Sequence, residues 1–315
     1  MSPRKSKISV DLVIPVFNEA EVVEQTYADI CKVIDDLPHK FTIYYVDDGS
    51  EDGTVTSIKS LAKKDKRIVV LELSRNFGHQ AALTAGLDAS QGGFVISLDA
   101  DGQHPPEMIA QMIELFEQGY DIVQAQRIDE DKSVSFKQLT SSAFYKLINR
   151  ISGTRVEPGA ADFRGMSRQA VDAVKAMPEY HRFLRGMISW IGYKSVILPY
   201  HESTRIAGRS KYSFGKMFRL AMDAIFSFSL MPLYIGLSAG FGFIALAIVQ
   251  NLYVLYLWVT QQTDKIVPGW SSLMAILLIA SGIIMILLGF IGVYVGYIFQ
   301  EVKRRPVYLL KKGEH

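Results

Sequence analysis

The sequence is poor in cysteine and lacks two motifs that would assign it to well-known classes. Its single cysteine, Cys31, excludes an internal disulfide and a zinc site built on cysteine ligands. The basic segment 1–7 is followed within a few residues by Asp11 and Pro15, so no apolar segment of signal-peptide length is present there. We therefore expect the N-terminal domain to stay in the cytoplasm. No Gly-x-Gly-x-x-Gly follows the first two predicted strands, which argues against a dinucleotide-dependent dehydrogenase.

Charge is missing from two long stretches near the C-terminus. No Asp, Glu, Lys, Arg or His occurs within 224–263 or within 266–300. A membrane-crossing helix needs about 20 apolar residues to span a hydrocarbon core of about 30 Å, and each uncharged stretch is longer than that. The sequence therefore predicts two transmembrane helices, near 230–260 and 271–300, joined by a short turn over 261–270.

The basic residues are distributed asymmetrically around these two stretches. Lys and Arg close to a span are retained on the cytoplasmic side of a membrane. The turn between the spans holds only Lys265, whereas both outer flanks are basic. The flanking residues are Arg205, Arg209, Lys211, Lys216 and Arg219 before the first span, and Lys303, Arg304, Arg305, Lys311 and Lys312 after the second. We expect a multi-pass protein of the cell (plasma) membrane, with both termini and the N-terminal domain on the cytoplasmic side.

The first 200 residues alternate short aliphatic or β-branched runs with longer mixed segments. This alternation is typical of an α/β domain with a largely parallel sheet. The runs predict strands over 10–16, 42–46, 68–73, 94–98 and 121–125. The segments between them predict helices over 19–35, 54–64, 79–89 and 106–117. In such sheets ligands bind beyond the carboxyl ends of the strands, so the loops that follow the strands are the candidate site.

Three of these loops have unusual compositions. The loop after the first strand, within 15–19, ends in Asn-Glu, and the loop over 47–54 reads Asp-Asp-Gly-Ser-Glu-Asp-Gly-Thr. Its side chains can reach a base or a ribose, although Asp and Ser also cap helices, so a capping role stays open on composition alone. The loop over 97–106 carries two carboxylates, a carboxamide and an imidazole, and its oxygen ligands suit Mg²⁺ or Mn²⁺. A solvated turn before a helix is the alternative for this third loop.

These segments and three others resemble glycosyltransferase family two enzymes of the GT-A fold. The resemblance is to the polyprenyl-phosphate group, which includes dolichyl-phosphate mannose synthase and the bactoprenol glucosyltransferases. The matching segments are IPVFNE over 14–19, VDDGSEDGT over 46–54, SRNFGHQAALTAGLDAS over 74–90, LDADGQHPPE over 98–107, ADFRGMSR over 161–168 and RIAGRSKYSFGKM over 205–217. Their order is that of the family, and together they cover the whole N-terminal domain.

The resemblance implies a role for particular residues. Those implied to bind the donor nucleotide sugar are Pro15, Phe17, Glu19, Asp48 and Asp99. Asp101 and Gln103 would hold Mg²⁺ or Mn²⁺ against the donor diphosphate, and Asp101 would thereby be catalytic. Asp162 is the second implied catalytic residue, on the acceptor side, with a structural pairing to Arg164 as its alternative. The residues implied to bind the phosphate of the acceptor lipid are Arg127, Lys137, Arg205, Ser210 and Lys211.

By this resemblance the chain consists of a catalytic domain over 1–204, a juxtamembrane amphipathic segment over 205–229, the two transmembrane helices within 230–300, and a basic cytoplasmic tail over 301–315. Gly-x-x-x-Gly faces within both predicted transmembrane helices favour helix association, so a homo-oligomer, either a dimer or a tetramer, is expected. We expect a nucleotide sugar, a polyprenyl phosphate and the membrane as partners, and no nucleic acid.

The expected reaction is inverting transfer of a hexose from a nucleoside diphosphate sugar to a polyprenyl phosphate. UDP-glucose is the preferred donor because segment 74–90 is most similar to the bactoprenol glucosyltransferase branch, although GDP-mannose or an aminoarabinose donor fits the same loops. A processive synthase is disfavoured because no Gln-x-x-Arg-Trp motif is present. A glycosyltransferase with a soluble acceptor and a non-catalytic membrane adaptor remain as alternatives. Gly102 and Gly165 stand where relatives usually have a bulky aliphatic residue.

Overall fold

The computed structural model describes residues 7–128, 160–180, 182–201 and 269–311, together with individual positions between 238 and 260. The chain divides into two compact units. The first consists of Met1–Phe218 and Arg305–His315, and the second of Arg219–Arg304.

The first unit alternates strands and helices. Its strands are β1 (Ser9–Val16), β2 (Lys40–Asp47), β3 (Ile68–Glu72), β4 (Phe94–Ser97), β5 (Ile122–Arg127), β6 (Ala160–Ser167) and β7 (Ser195–Tyr200). Its helices are α1 (Val23–Ile34), α2 (Thr54–Lys64), α3 (His79–Ala89), α4 (Met108–Glu117), α5 (Arg168–Lys175) and α6 (Leu184–Trp190). The five predicted strands and four predicted helices are confirmed. The largest shift is at α1, which begins at Val23 rather than at residue 19 because residues 20–22 form a turn.

The strands form one mixed sheet in the order β3-β2-β1-β4-β6-β5-β7. All neighbouring pairs are parallel except those of β6, which runs antiparallel to both β4 and β5. The prediction of a largely parallel α/β sheet is therefore confirmed. No strand was predicted over β6, because Asp162, Arg164 and Gly165 interrupt any apolar run there.

The core lies on both faces of the central strands. Seven of the eight residues of β1 are buried, as expected for a parallel strand covered by helices on both sides. Helix α3 packs closely on β1: a Cβ at Gly86 would stand 2.2 Å from Cγ1 of Val13. Only glycine permits this approach, so α3 packs directly on β1. Its first residue, His79, follows the loop after β3.

The second unit contains α7 (Trp270–Lys303). Within the described part of the chain, Ile279–Lys303 is the one helical segment long and apolar enough to cross a membrane, with a mean hydropathy of 2.3. The second predicted transmembrane helix is thus a helix of sufficient length and apolarity. Most of the first, over 230–260, lies outside the described residues, so the two-helix hairpin stays a prediction.

Candidate functional site

The loops after β1 and β2 are held together by hydrogen bonds between main chain and side chains. The backbone amide of Asn18 donates to Oγ of Ser50 (2.9 Å), and Oδ1 of Asn18 accepts from the amide of Glu51 (2.9 Å). The amide of Glu19 donates to Oγ1 of Thr54 (2.9 Å). Asn18 adopts a left-handed conformation with φ of 54°, which is tolerated best by asparagine among non-glycine residues. The first two predicted donor loops therefore form one rigid surface.

Asp48 fixes the loop that follows β3. Its buried carboxylate accepts from the backbone amides of Phe77 (2.7 Å) and Gly78 (2.9 Å). Burial raises the pKa of Asp48, and these two donors oppose the rise. Gly49 lets the chains approach, because a Cβ there would stand 2.6 Å from the carbonyl carbon of Arg75. Asp48 thus orders the 75–78 loop, while its predicted contact with a nucleobase stays a prediction.

The loop after β4 is organised around His104. Nδ1 of His104 accepts from the backbone amide of Asp99 (3.0 Å), so this nitrogen carries no proton and Nε2 does. Nε2 lies 3.7 Å from Oδ2 of Asp99, and the ring stacks on Phe163 with the centroids 4.6 Å apart. His104 therefore holds the backbone of Asp99 in place and lies beside its carboxylate.

Gly102 has a structural reason to differ from the family pattern. Its φ is +75°, a left-handed conformation in which a bulky aliphatic side chain is strained. The turn brings the amide of Gln103 to Oδ1 of Asp101 (3.1 Å). This hydrogen bond closes the turn between Asp101 and Gln103.

Asp162 lies in a buried network of ion pairs. Its Oδ1 is 2.8 Å from Nη2 of Arg164, and Arg185 donates from Nε to Oδ1 (3.1 Å) and from Nη2 to Oδ2 (3.0 Å). Burial alone would raise the pKa of Asp162, but Arg185, His79 and Arg164 outweigh burial and hold this pKa well below its usual range. The carboxylate is therefore ionised at neutral pH and is a weak base. Pairing with Arg164, the alternative role considered for Asp162, is present in the structure.

His79 connects the donor side of the site with Asp162. Its Nε2 lies 3.6 Å from Oδ1 of Asp99 and 3.4 Å from Oδ2 of Asp162. Desolvation lowers the pKa of His79, but the two carboxylates outweigh it and the net direction is upward. The His79 side chain is 42% exposed, so solvent or a ligand can reach it. His79 therefore brings together two residues that are far apart in the sequence.

Two members of this network, Arg185 and His79, are absent from the predicted site residues. A signal existed for each. Arg185 is a charged residue between buried Leu184 and buried Gly186, Met187 and Ile188, which indicates a buried anionic partner. His79 begins α3, whose following residues are almost all small or apolar.

The predicted acceptor residues are mostly outside the described part of the chain. Arg127 is described: it ends β5 and is exposed at that end of the strand. Lys137, Arg205, Ser210 and Lys211 lie outside the described residues. The donor residues Pro15, Phe17 and Glu19 are described; Pro15 is buried at the end of β1 and the other two are half-buried. None of these assignments is tested by the contacts above.

The loop after β4 has the donor chemistry of a magnesium or manganese site. Asp99, Asp101 and Gln103 offer carboxylate and carboxamide oxygens, which these hard cations prefer, and all three side chains are partly exposed. Within residues 7–128, 160–180 and 182–201, no group of three or more His, Cys, Asp or Glu is arranged to hold an ion. Mg²⁺ usually keeps water and substrate phosphate among its ligands, so one or two protein ligands fit.

Comparison with known proteins places this geometry in a family. A model described as Glycosyl transferase family 2 matches residues 11–175. The glycosyltransferase YkcC of Bacillus subtilis, described as uncharacterized, is 38% identical over 97% of this chain and 94% of its own. The SfII prophage-derived bactoprenol glucosyl transferase of Shigella flexneri is 37% identical over 97% of this chain and 98% of its own.

A solved structure shows the same fold. The crystal structure of mannosyl-3-phosphoglycerate synthase from Rubrobacter xylanophilus aligns with a TM-score of 0.50 and 18% sequence identity. The alignment covers 69% of this chain and 72% of that chain, and at this identity it indicates the fold alone. With the sequence matches above, it leads to one conclusion: the chain belongs to glycosyl transferase family 2 and carries the GT-A-like α/β domain that the sequence resemblance implied.

Proposed function

We propose that this transferase moves a hexose from a nucleoside diphosphate sugar to the phosphate of a polyprenyl phosphate at the cytoplasmic face of the membrane. UDP-glucose is the proposed donor and undecaprenyl phosphate the proposed acceptor. The catalytic domain is assigned to 1–204, the juxtamembrane segment to 205–229 and two transmembrane helices to 230–300. A basic tail over 301–315 completes this proposed organisation.

The observation that carries the proposal is the convergence of the loops after β3 and β4 on Asp162. His79 lies within 3.6 Å of Asp99 and 3.4 Å of Asp162, so the proposed donor side and acceptor side meet at one imidazole. The near full-length similarity to a bactoprenol glucosyl transferase supports a lipid-linked phosphate as the acceptor. The apolar helix over 279–303 supports a reaction at the membrane.

The proposed reaction requires a correctly positioned acceptor phosphate more than it requires a strong base. A phosphate monoester has a second pKa near 6, so the acceptor is largely dianionic at neutral pH and brings its own nucleophilic oxygen. That oxygen forms a bond to the anomeric carbon as the bond from this carbon to the diphosphate breaks, and the nucleoside diphosphate leaves with the electron pair. The configuration at the anomeric carbon inverts.

The residues have separate tasks in this proposal. Asp162 is ionised and is held by two guanidinium groups. In this proposal it orients the acceptor rather than accepting a proton. Asp48 holds the loop beside the nucleoside. Asp101 and Gln103 hold Mg²⁺ or Mn²⁺, and a bound cation would neutralise the charge on the departing diphosphate. Arg127, Lys137, Arg205, Ser210 and Lys211 are proposed to bind the phosphate of the lipid acceptor.

Transfer of radiolabel by the purified protein tests this proposal. UDP-glucose, GDP-mannose and a UDP-aminoarabinose donor are each supplied with undecaprenyl phosphate, with Mg²⁺, with Mn²⁺ or with EDTA. We expect label in the organic phase from UDP-glucose in the presence of either metal. Label from another donor would replace the proposed sugar and keep the reaction. A parallel assay supplies a water-soluble acceptor without lipid, and label there with none in the organic phase would overturn the lipid assignment. No transfer from any donor would favour a non-catalytic adaptor.

A further inference from the structure

The segment that follows α7 forms a β-bridge with the residue that follows β3. We call residues 305–311 the tail segment; they belong to the first unit although they follow the transmembrane helix in sequence. Leu310 pairs in antiparallel fashion with Leu73, the residue after β3. The amide of Ser74 donates to the carbonyl oxygen of Leu309 (2.8 Å), which extends this pairing by one residue.

The tail segment lies beside the carboxyl end of β3. The amide of Lys311 donates to the carbonyl oxygen of Glu72 (2.7 Å), whereas the amide of Leu73 donates to Asp47 at the end of β2 (2.9 Å). Successive residues of a strand turn their amides to opposite sides. Because β3 is the outermost strand of the sheet, its outer side is open to this contact at Glu72.

A second contact reaches α3. The hydroxyl of Tyr308 donates to Oδ2 of Asp88, near the end of α3, at 3.0 Å. Burial, with the negative charge of Asp88, raises the pKa of Tyr308 to about 12, so the phenol stays protonated and remains a donor at neutral pH. The tail segment is therefore fixed to β3 and to α3, the two elements that precede and follow the 75–78 loop.

The chain enters the tail segment through an abrupt helix end. Arg304 has a left-handed conformation with φ of 48° and ends α7, and Pro306 follows it. A proline just after a helix cannot continue it, so α7 ends here. Ser74, which donates to Leu309 of the tail segment, directly precedes the 75–78 loop. Asp48 accepts hydrogen bonds at the other end of this loop.

We propose that the tail segment positions the 75–78 loop, and so sets the affinity for the nucleoside diphosphate sugar through the segment that emerges from the transmembrane helix. The loop is held at Ser74 by the tail segment and at Phe77 and Gly78 by Asp48. Loss of the tail contact frees one end of the loop. The structural part of this inference is independent of the proposed function, and the part about donor affinity rests on it.

A pair of proline substitutions tests the inference in the full-length protein. Lys311→Pro removes the amide that donates to Glu72, whereas Leu310→Pro removes an amide on the opposite side of the tail segment and serves as the matched control. Deuterium exchange of peptides covering 74–80 is measured without ligand, and KM and kcat are measured for the donor. We expect Lys311→Pro to raise the exchange rate and KM each about fivefold, the effect of losing one hydrogen bond, with kcat unchanged.

Tyr308→Phe is the second variant, because it removes only a hydroxyl and preserves folding. We expect faster exchange over 74–80 and a higher KM in the same direction, with Leu310→Pro matching the unsubstituted protein in both measurements. Exchange in Lys311→Pro and Tyr308→Phe equal to that of the control would overturn the inference. A loss of kcat at constant KM would overturn the link to donor affinity. If no donor is turned over, the proposed function fails while the exchange measurement still decides the positioning role.

Discussion

Arg185 holds both carboxylate oxygens of Asp162, with Nε 3.1 Å from Oδ1 and Nη2 3.0 Å from Oδ2. This two-pronged contact joins α6 to β6. The two residues are far apart in the sequence, so no local sequence pattern predicts their contact. Together with Arg164 it keeps a buried carboxylate charged and fixed in orientation.

Arg185→Lys should lower transfer activity about tenfold, because lysine keeps the charge but cannot donate from two nitrogens in one plane. The measurement is kcat/KM for transfer to the lipid acceptor. Arg182→Lys is the matched control, since Arg182 donates to the backbone oxygen of Met177 rather than to Asp162. Equal activity of the two variants would show that the two-pronged contact is dispensable.

Asp162→Asn should destabilise the protein by about 3 kcal/mol at pH 7, because it removes the buried negative charge that pairs with Arg164 and Arg185. The pKa of Asp162 is lowered in the folded protein, so its ionisation stabilises the fold above the ordinary carboxylate pKa near 4 and this stabilisation is lost as pH falls below it. The difference in Tm between the two proteins should therefore narrow below about pH 4.

The control for this effect is Asp172→Asn. Asp172 pairs with Arg168 at 3.3 Å, but its side chain is 59% exposed and such pairs contribute little. Its Tm should follow that of the unsubstituted protein at all pH values. A constant gap between Asp162→Asn and the unsubstituted protein down to pH 3 would contradict the proposed ionisation.

Gly165→Ala should cost about 2 kcal/mol through overpacking. A Cβ at this position would stand 2.2 Å from Cζ of Phe94, whose ring is itself stacked on Phe116. Gly93→Ala is the control, because its Cβ would meet nothing closer than 3.8 Å. The double variant Gly165→Ala/Phe94→Leu should lose less free energy of unfolding than the two single variants lose together, as measured by thermal unfolding.

Asp101→Ala should lower turnover at least about 100-fold while leaving membrane insertion intact, as expected for loss of a ligand that helps stabilise the leaving diphosphate. EDTA should give a similar loss in the unsubstituted protein, reversed by Mg²⁺ or Mn²⁺. Asp29→Ala, which removes a carboxylate paired with Lys32 on α1, should have no effect. Full activity of Asp101→Ala would refute the metal assignment.

Much of the fold follows from local patterns in the sequence. The apolar runs of β1 to β5 and the helices between them were predicted to within a few residues, because a buried parallel strand needs a nearly continuous apolar segment. The loops around Asp48 and Asp99 were predicted as well, since the carboxyl ends of parallel strands are where ligands bind. The apolar length of α7 likewise follows from composition.

Other features depend on contacts between distant segments. Strand β6 was not predicted because its polar residues face partners on other elements, and the reason for Gly165 lies in the ring of Phe94. His79 lies between Asp99 and Asp162, and Arg185 donates hydrogen bonds to Asp162. Both contacts require α3 and α6 to pack against the sheet. No spacing within one segment predicts them.

The sequence by itself determined the α/β class, the loops at the strand ends and a long apolar helix, because each of these depends on residues that are close together in the sequence. The tertiary structure alone decided which charges meet, as with Asp162, and where the tail segment goes after Arg304. Both depend on contacts between residues far apart in the sequence, such as the bridge between Leu73 and Leu310. Such pairing is selected by the packed geometry, which local propensity does not contain.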